Sequence, residues 1–268
     1  MRSVETFESD ISNNWLVYCF EAYRFNDSSF EDKFFPRPVT SIIFHFKEQP
    51  IIQDENPIVL KPFFIAPVIS QAIPLRFQGD IDTFAIHCKS TVISRILGLD
   101  MSLTDERSIT LPHNLFLPLW EKMSTQNTTA ERIDCFSDFI NTIQPSPYIP
   151  DAIDYYCDKI IKNSIFTPLK TIMQECYESK SSLHRKFTKR AGTTPKTLAR
   201  IVRLDYLWRK IINEKVIDYQ RLIFEGNYFD QAHFINDFKS IIGETPGYFF
   251  NRNLKTVKLF SGDTSENQ

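Results

Sequence analysis

The C-terminal third of the chain contains a motif that occurs twice, 51 residues apart. The first copy spans residues 187–195 and the second spans residues 238–246, and both read Phe-x4-Gly-x-Thr-Pro. The same spacing relates a capping residue and a large apolar residue upstream of each copy, namely Ser179 with Asp230 and Leu183 with Phe234. Agreement of so many positions at one spacing predicts that a structural unit is duplicated.

Each copy has the residues of a capped amphipathic helix. Ser and Asp are favourable N-cap residues, and the apolar residues four and eight positions after the cap fall on one helix face. The glycine follows the helix, where a left-handed residue is favoured, and the Thr-Pro pair is typical of the start of a further helix. Because shorter helical segments, residues 169–176 and 218–225, precede the two caps, the sequence predicts two helix-turn-helix units.

One long helix is predicted to join the two units. It covers residues 196–213, and 18 residues of helix are about 27 Å long. A rigid spacer of this length is suited to holding two recognition helices near one turn of DNA apart, roughly 34 Å. Both recognition helices then enter successive major grooves on one face of the duplex.

Residues 155–253 resemble the C-terminal DNA-binding domain of the AraC/XylS family of bacterial transcription regulators. The family signature is carried most clearly by the second copy, Tyr228-Phe-Asp230-Gln-Ala-His-Phe234-x3-Phe238-Lys239-x3-Gly243-x-Thr245-Pro246. The residues upstream more loosely resemble an uncharacterised N-terminal domain of some family members. The resemblance implies a sequence-specific regulator that binds double-stranded DNA, with RNA polymerase as a partner in activation.

The second turn departs from the family pattern. Gly followed by Phe is usual there, whereas this chain has Asn227 and Tyr228. Asn tolerates the left-handed region better than most residues, so we expect the turn to be preserved.

The two recognition helices carry the candidate DNA contacts. The first helix, about residues 180–190, has five basic residues and no acidic one, and its N-terminal end is expected to reach base edges while flanking basic residues reach phosphates. Its candidates are Lys180, Ser181, Ser182, His184, Arg185, Lys186 and Lys189. The alternative is a solvated charged face, with Arg185 in a structural salt bridge.

The second helix, about residues 231–240, is less basic, and its side chains offer hydrogen bonds to bases and a methyl group for thymine. Its candidates are Gln231, Ala232, His233, Asn236 and Lys239. The alternative is that this unit mainly contacts the DNA backbone. The linking helix carries further cations, for which we expect phosphate contacts, with at least one in an ion pair with Asp205 or Asp237; these are Arg200, Arg203, Arg209 and Lys210.

A proline-rich stretch separates this region from the N-terminal half. Residues 144–150 contain three prolines, which interrupt helix and sheet. We therefore predict an α+β fold. The predicted parts are a mixed, strand-rich domain (1–145), a linker (146–152), an all-α domain of two helix-turn-helix units joined by a linking helix (153–256) and a disordered tail (257–268).

Within the N-terminal domain, strands are predicted first and helices after them. The segments 39–46 and 81–88 are rich in β-branched and aromatic residues with partial alternation. Residues 91–98, 114–123 and 129–143 have helical patterns.

Charge is divided between the two halves. Residues 1–150 hold 12 Lys and Arg against 19 Asp and Glu, whereas residues 151–260 hold 19 Lys and Arg against 12 Asp and Glu. This distribution favours a C-terminal half that approaches a polyanion. Since the chain has neither a long apolar run nor a secretory signal at its start, we expect a cytoplasmic protein without membrane association.

The sequence gives little support to enzymes or metalloproteins. The five cysteines are widely spaced without a CxxC pair, so we expect reduced, mostly buried thiols and no metal site. A metal-binding cupin needs two histidines one residue apart, whereas the stretch from His45 to Glu48 has only one and His87 is distant. No catalytic motif or phosphate-binding loop is present, so we expect neither catalytic residues nor a cofactor.

Two roles remain for the N-terminal domain. Its aromatic residues are suited either to a pocket for a small apolar effector or simply to a Phe-rich core. Its helices between residues 114 and 143 are suited to homodimerisation or to internal packing. The alternative function for the whole chain is a ligand sensor or interaction scaffold that has lost specific DNA recognition.

Overall fold

The computed structural model describes residues 2–10, 14–102, 108–174, 179–211 and 217–250. Strands occupy the N-terminal part of the described chain and helices the C-terminal part, which confirms the predicted α+β layout.

Seven strands form one sheet within the described residues. In chain order they are β1 (Arg2–Glu8), β2 (Val17–Phe34), β3 (Thr40–His45), β4 (Ile51–Ile52), β5 (Ile58–Val59), β6 (Phe63–Ala66) and β7 (Ile73–Cys88). The main order is β1-β2-β7-β3-β6, and β4 pairs with β5 and with β7. The long strands β2 and β7 pair antiparallel along nearly their whole length, with register shifts between Val17 and Cys19 and between Phe25 and Ser28.

Both faces of this sheet are covered. Along β7, Phe84 and Ile86 pack into a core with the helices that follow, whereas Ala85 belongs to a second core on the opposite face. Successive strand residues point to opposite faces, so a sheet buried on both sides places apolar residues at consecutive positions. This explains why the sequence alternates only partially in this region.

Three helices cover one face of the sheet. They are α1 (Ser90–Ile96), α2 (His113–Ser124) and α3 (Thr129–Ile143), close to the predicted segments. A reciprocal capping box between Thr128 and Glu131 begins α3. Phe116 on α2 and Phe136 on α3 are fully buried against the sheet.

Seven further helices lie in the described residues of the C-terminal region. They are α4 (Ala152–Asn163), α5 (Leu169–Met173), α6 (Lys180–Ala191), α7 (Pro195–Ile211), α8 (Tyr219–Glu225), α9 (Gln231–Ile242) and α10 (Pro246–Phe250). Helices α5 and α6 form the first predicted unit, α8 and α9 the second, and α7 joins them. The predicted tail lies outside the described residues.

The linking helix α7 contributes to the cores of both units. Ile201 packs with Leu183 and Phe187 of the first unit. Leu207 packs with Phe234 of the second unit. One helix thus supplies the inner wall of two cores, which ties the units together.

Four of the five cysteines fall in the described residues, and they are free thiols, as expected. Cys88, Cys135 and Cys157 are buried, Cys19 is partly exposed, and Cys176 lies outside the described residues. In the part of the chain that the structure covers, no helix is both long and apolar enough to cross a membrane.

Removal of a buried ring should destabilise the first unit. Phe187 is fully buried, so Phe187→Ala should lower the free energy of unfolding by roughly 3–5 kcal/mol through lost burial and a residual cavity. Denaturant unfolding measures this change. Phe224→Ala is the matched control, because that ring is 86% exposed and its removal should change stability by less than about 0.5 kcal/mol. Equal effects of the two substitutions would contradict the assigned core.

Candidate functional site

Local sequence fixes both ends of the first recognition helix, α6. The Ser179 hydroxyl accepts a hydrogen bond from the backbone N–H of Ser182 at 3.3 Å, which caps the N-terminus. Gly192 ends the helix with a φ of +77°. A Cβ at this glycine would lie 3.0 Å from the backbone oxygen of Met101, so both conformation and close approach require glycine.

The exposed side of α6 holds most of the residues predicted to contact DNA. Leu183 and Phe187 are buried on the opposite side, as predicted. Ser182 is half-buried, and the side chain of Lys180 lies outside the described set. The exposed candidates are Ser181, His184, Arg185, Lys186 and Lys189.

The second recognition helix, α9, repeats this arrangement. The Asp230 carboxylate accepts from the backbone N–H of His233 at 2.7 Å, and Gly243 ends the helix with a φ of +85°. Phe234 and Phe238 are buried. All of the predicted contacts on this helix are exposed, namely Gln231, Ala232, His233, Asn236 and Lys239.

The unusual turn of the second unit is preserved, as expected. Asn227 adopts a φ of +51°, and its side-chain amide donates to the backbone oxygen of Ile165 at 3.3 Å. Tyr228 is buried, with its ring 5.3 Å from that of Phe234.

Cations of the linking helix are used to hold the second unit. Arg200 forms an ion pair with the buried Asp237 of α9, which confirms the predicted pairing. The same carboxylate accepts from the Tyr228 hydroxyl at 3.2 Å, and the Arg203 guanidinium lies over the Tyr228 ring at 4.8 Å. This cluster fixes the orientation of α9 on α7.

The other two cations of α7 that were predicted to contact phosphate also have acidic partners. Arg209 pairs with Asp205 at 2.9 Å, and Lys210 pairs with Glu225 at 2.9 Å. Because both cations are solvent-exposed, these pairs contribute little to stability.

The C-terminal end of α6 contacts the N-terminal domain. The Arg190 guanidinium donates twice to the backbone oxygen of Thr91 on α1, at 3.0 and 2.7 Å, and pairs with Asp151 and the buried Asp154. Lys189 lies 3.9 Å from Asp100. Two basic residues of this helix therefore have partners in the protein, which the sequence pattern did not indicate.

The loop between β6 and β7, residues 67–72, contacts both helix-turn-helix units; we call it the bridging loop. Its Val68 side chain is buried in the core of the first unit. At its other end, the backbone N–H of Ala72 donates to the oxygen of Ile241 on α9 at 2.8 Å. One short segment thus touches both helix-turn-helix units.

The second face of the sheet encloses an apolar cavity, which we call the sheet cavity. Its volume is about 70 Å³. Side chains of β2, β3, β4, β6 and β7 line it, among them Ile43, Phe64 and Phe77. Ile69 of the bridging loop also forms part of the wall, so the cavity and the loop are directly joined.

His45 contributes an unsatisfied polar atom to the cavity wall. The residue is 3% exposed, and its Nδ1 makes a 2.7 Å hydrogen bond with the Thr83 hydroxyl. Its Nε2 is buried without a hydrogen-bond partner. Burial lowers the pKa of His45 to about 3, so the ring is neutral. A buried polar atom without a partner is costly unless a ligand or water satisfies it.

A compact polar cluster lies beside the cavity. Glu21 pairs with Arg37 at 2.9 Å and with His87 Nε2 at 2.8 Å, and it accepts from the Tyr23 hydroxyl. Burial by itself raises the pKa of the Glu21 carboxyl group. The nearby His87 and Arg37 lower this pKa by more than burial raises it, so the net shift is downward. The carboxylate is therefore ionised and its charge is compensated within the cluster.

The spacing of residues in the sequence did not indicate that three potential metal ligands meet in this cluster. Ligand atoms of Cys19, Glu21 and His87 lie within 4.8 Å of one another. Strand pairing brings β2 and β7 together, so distant sequence positions meet. Burial raises the pKa of Cys19 to about 11, so the sulfur is held as a thiol, whereas a metal ligand would be the thiolate. The Glu21 carboxylate is already paired with Arg37. The three residues are therefore better explained as part of a network of charged and polar groups.

Two family models match separate parts of the chain. The model described as a helix-turn-helix domain matches residues 175–252. The model described as a domain of unknown function (DUF6597) matches residues 14–110. No curated protein matches the sequence.

Several solved structures are similar in layout. ToxT from Vibrio cholerae bound to (E)-4-(8-methylnaphthalen-1-yl)but-3-enoic acid is 14% identical, with 96% of this chain and 99% of that chain covered and a TM-score of 0.48. ToxT bound to an unsaturated fatty acid is 15% identical, with 93% and 94% covered and a TM-score of 0.45. The AraC-like transcriptional activator CuxR is 12% identical, with 77% and 87% covered and a TM-score of 0.29.

The buried histidines should make stability depend on pH. Burial lowers the pKa of both His45 and His87 from the usual 6.5, so at these residues the unfolded chain binds more protons, and their contribution to the free energy of unfolding should fall as pH decreases below 6.5. Burial raises the pKa of Asp32 to about 7, so this carboxyl makes an opposite contribution, which grows as pH decreases below 7. Between pH 6.5 and 4.5 the downward-shifted Glu21 adds no loss, because its stabilising contribution is lost only as pH falls below its usual value of 4.5.

The variant His45→Gln should reduce this slope by about one proton, or about 1.4 kcal/mol per pH unit. Denaturant unfolding at a series of pH values measures it. Exposed His113 supplies the control, since His113→Gln should leave the slope unchanged. A His45→Gln slope equal to that of the unmodified chain would show that His45 is not held neutral.

Proposed function

We propose that the chain is an AraC-like transcription regulator whose C-terminal helix-turn-helix domain inserts α6 and α9 into successive major grooves of one operator. The observation that carries this proposal is that each helix buries its apolar side in a core that it shares with α7 and leaves its polar side exposed. That side is what a recognition helix needs in order to reach base edges and phosphates.

The linking helix supports the tandem arrangement. The 17 residues of α7 are about 25 Å long, and a helix of this length is suited to separating recognition elements by about one turn of DNA. The ion pair of Arg200 with Asp237 and the shared apolar cores hold the two units on it.

Selection of genome fragments by the purified full-length protein tests this function. Footprinting of the selected fragments should give two protected segments about one turn apart, with affinity that falls steeply as salt increases. Failure to select any sequence, with or without added cell extract, would favour the alternative of a sensor or scaffold without specific DNA recognition.

Arg185→Ala should weaken binding to a selected site by about 1–3 kcal/mol if the side chain reads a base. Arg185 is exposed on α6, so thermal stability should remain unchanged. Fluorescence anisotropy with the selected duplex measures the affinity. Lys162→Ala removes an exposed positive charge from α4 and is the control, with little expected loss. Equal losses for both variants would assign Arg185 to general electrostatic attraction.

We propose further that the N-terminal domain senses an effector through the sheet cavity. A ligand there contacts Ile69, and the same loop inserts Val68 into the first unit and bonds the second through Ala72. If the bridging loop has two positions, an effector that binds more tightly when the loop is in one of them would shift the relative placement of α6 and α9.

Most of the apolar residues that suited α2 and α3 to homodimerisation are used internally, but Leu115 is 39% exposed, and homodimerisation stays a prediction. Leu119, Phe136 and Ile140 of α2 and α3 are buried in the core of the N-terminal domain. Contact with RNA polymerase stays a prediction from the family resemblance.

The cavity favours a neutral, largely apolar effector with one hydrogen-bonding group. The described lining contains no Asp, Glu, Lys or Arg, so a buried carboxylate would have no cation to pair with. The unsatisfied Nε2 of His45 is the natural partner for a hydroxyl or carbonyl group.

Probes with the same carbon chain distinguish these ligands. Decanol should raise the thermal midpoint of the full-length protein, decanoic acid at neutral pH should raise it less, and His45→Leu should reduce the response to decanol. His113→Leu, at an exposed position, is the control and should respond like the unmodified chain. Greater stabilisation by decanoic acid, or no stabilisation by either probe, would overturn the proposed ligand class.

A further inference from the structure

An aromatic side chain stands exposed at the entrance to the second recognition helix. Phe229 is 90% exposed and directly precedes the N-cap Asp230. Single exposed apolar residues are common on protein surfaces, but this one lies at the end of α9 that a helix-turn-helix protein inserts into DNA.

The local packing explains why this ring points away from the core. An apolar residue just before an N-cap usually packs on the fourth residue of the helix, which here is Phe234. That position is already covered by Tyr228, whose ring lies 5.3 Å from the ring of Phe234. The Tyr228 hydroxyl is in turn held by Asp237. Phe229 therefore does not make the contact with Phe234, the hydrophobic staple, that its position in the sequence favours.

The backbone at Phe229 is held in place by α9 itself. Its N–H donates to Nδ1 of His233 at 3.5 Å, and the His233 ring packs edge-on against Tyr228 at 5.1 Å. The entrance of α9 thus combines an aromatic ring, the methyl group of Ala232 and the imidazole of His233.

We propose that Phe229 reads thymine in the half-site of the second unit by packing its ring on the C5-methyl group. The inference rests on the proposed insertion of α9 into the major groove. The thymine methyl is the apolar feature that bases present in that groove, and apolar side chains recognise it by contact. Continuity with the exposed residues Gln231, Ala232 and Asn236 assigns this ring to DNA.

The test uses the full-length protein and a duplex obtained by the fragment selection. Each thymine in the α9 half-site is replaced in turn by deoxyuridine, which pairs identically but lacks the methyl group. At one or two positions the unmodified protein should lose about fourfold in affinity, the worth of one buried methyl group. Phe229→Ala should bind the thymine duplex at least fourfold more weakly and should show no further loss with deoxyuridine at those positions.

Phe224→Ala is the matched control, because Phe224 is 86% exposed on α8, in the same unit. It should keep the full response to deoxyuridine. Both substitutions are at exposed rings, so unchanged thermal midpoints verify that the variants are folded, and Phe229→Leu should retain part of the response.

The outcomes separate this inference from the function on which it rests. Sequence-specific binding with a deoxyuridine response that persists in Phe229→Ala, or with no response in the unmodified protein, overturns the role of Phe229 and leaves the tandem recognition intact. Absence of any selected sequence overturns the proposed function itself.

Discussion

The C-terminal half depends on one constraint, which is that successive parts of α7 are buried in two different apolar cores. Ile201 completes the core around Phe187, and Leu207 completes the core around Phe234. Because α7 contributes buried residues to both cores, the linking helix is structural as well as a spacer. The pair of Arg200 with Asp237 then fixes how the second unit sits on it.

The N-terminal domain meets a different constraint, since both faces of its sheet must be covered. One face is filled by α1, α2 and α3, whereas the other encloses a cavity bordered by polar groups. Within the cluster beside it, the Glu21 carboxylate is compensated by the Arg37 guanidinium and contacts Nε2 of His87. His45 is the member of the cavity wall that retains an unsatisfied atom, and the proposed ligand preference rests on this difference.

The two halves are joined through the bridging loop and through Arg190. The loop lies between the cavity and both units, and Arg190 attaches the end of α6 to Thr91 and Asp154. The proposed effector cavity and the proposed recognition helices therefore share contacts, which is what coupling between two sites requires. Phe229 lies away from these contacts at the N-terminal end of α9, where we propose that it contacts DNA.

The sequence alone determined the helix-turn-helix units, because their signals are local: the caps Ser179 and Asp230, the left-handed Gly192 and Gly243, and apolar residues at helical spacing act within a few residues of one another. The sequence also indicated which residues of these helices are exposed, because the face opposite the buried apolar residues must point to solvent. The tertiary structure decided what depends on distant pairing. The register of the strands brought Glu21 next to His87 and formed the cavity around His45. Packing between the domains gave Arg190 its partners. Tyr228, rather than Phe229, packs on Phe234, because its hydroxyl is hydrogen-bonded to Asp237.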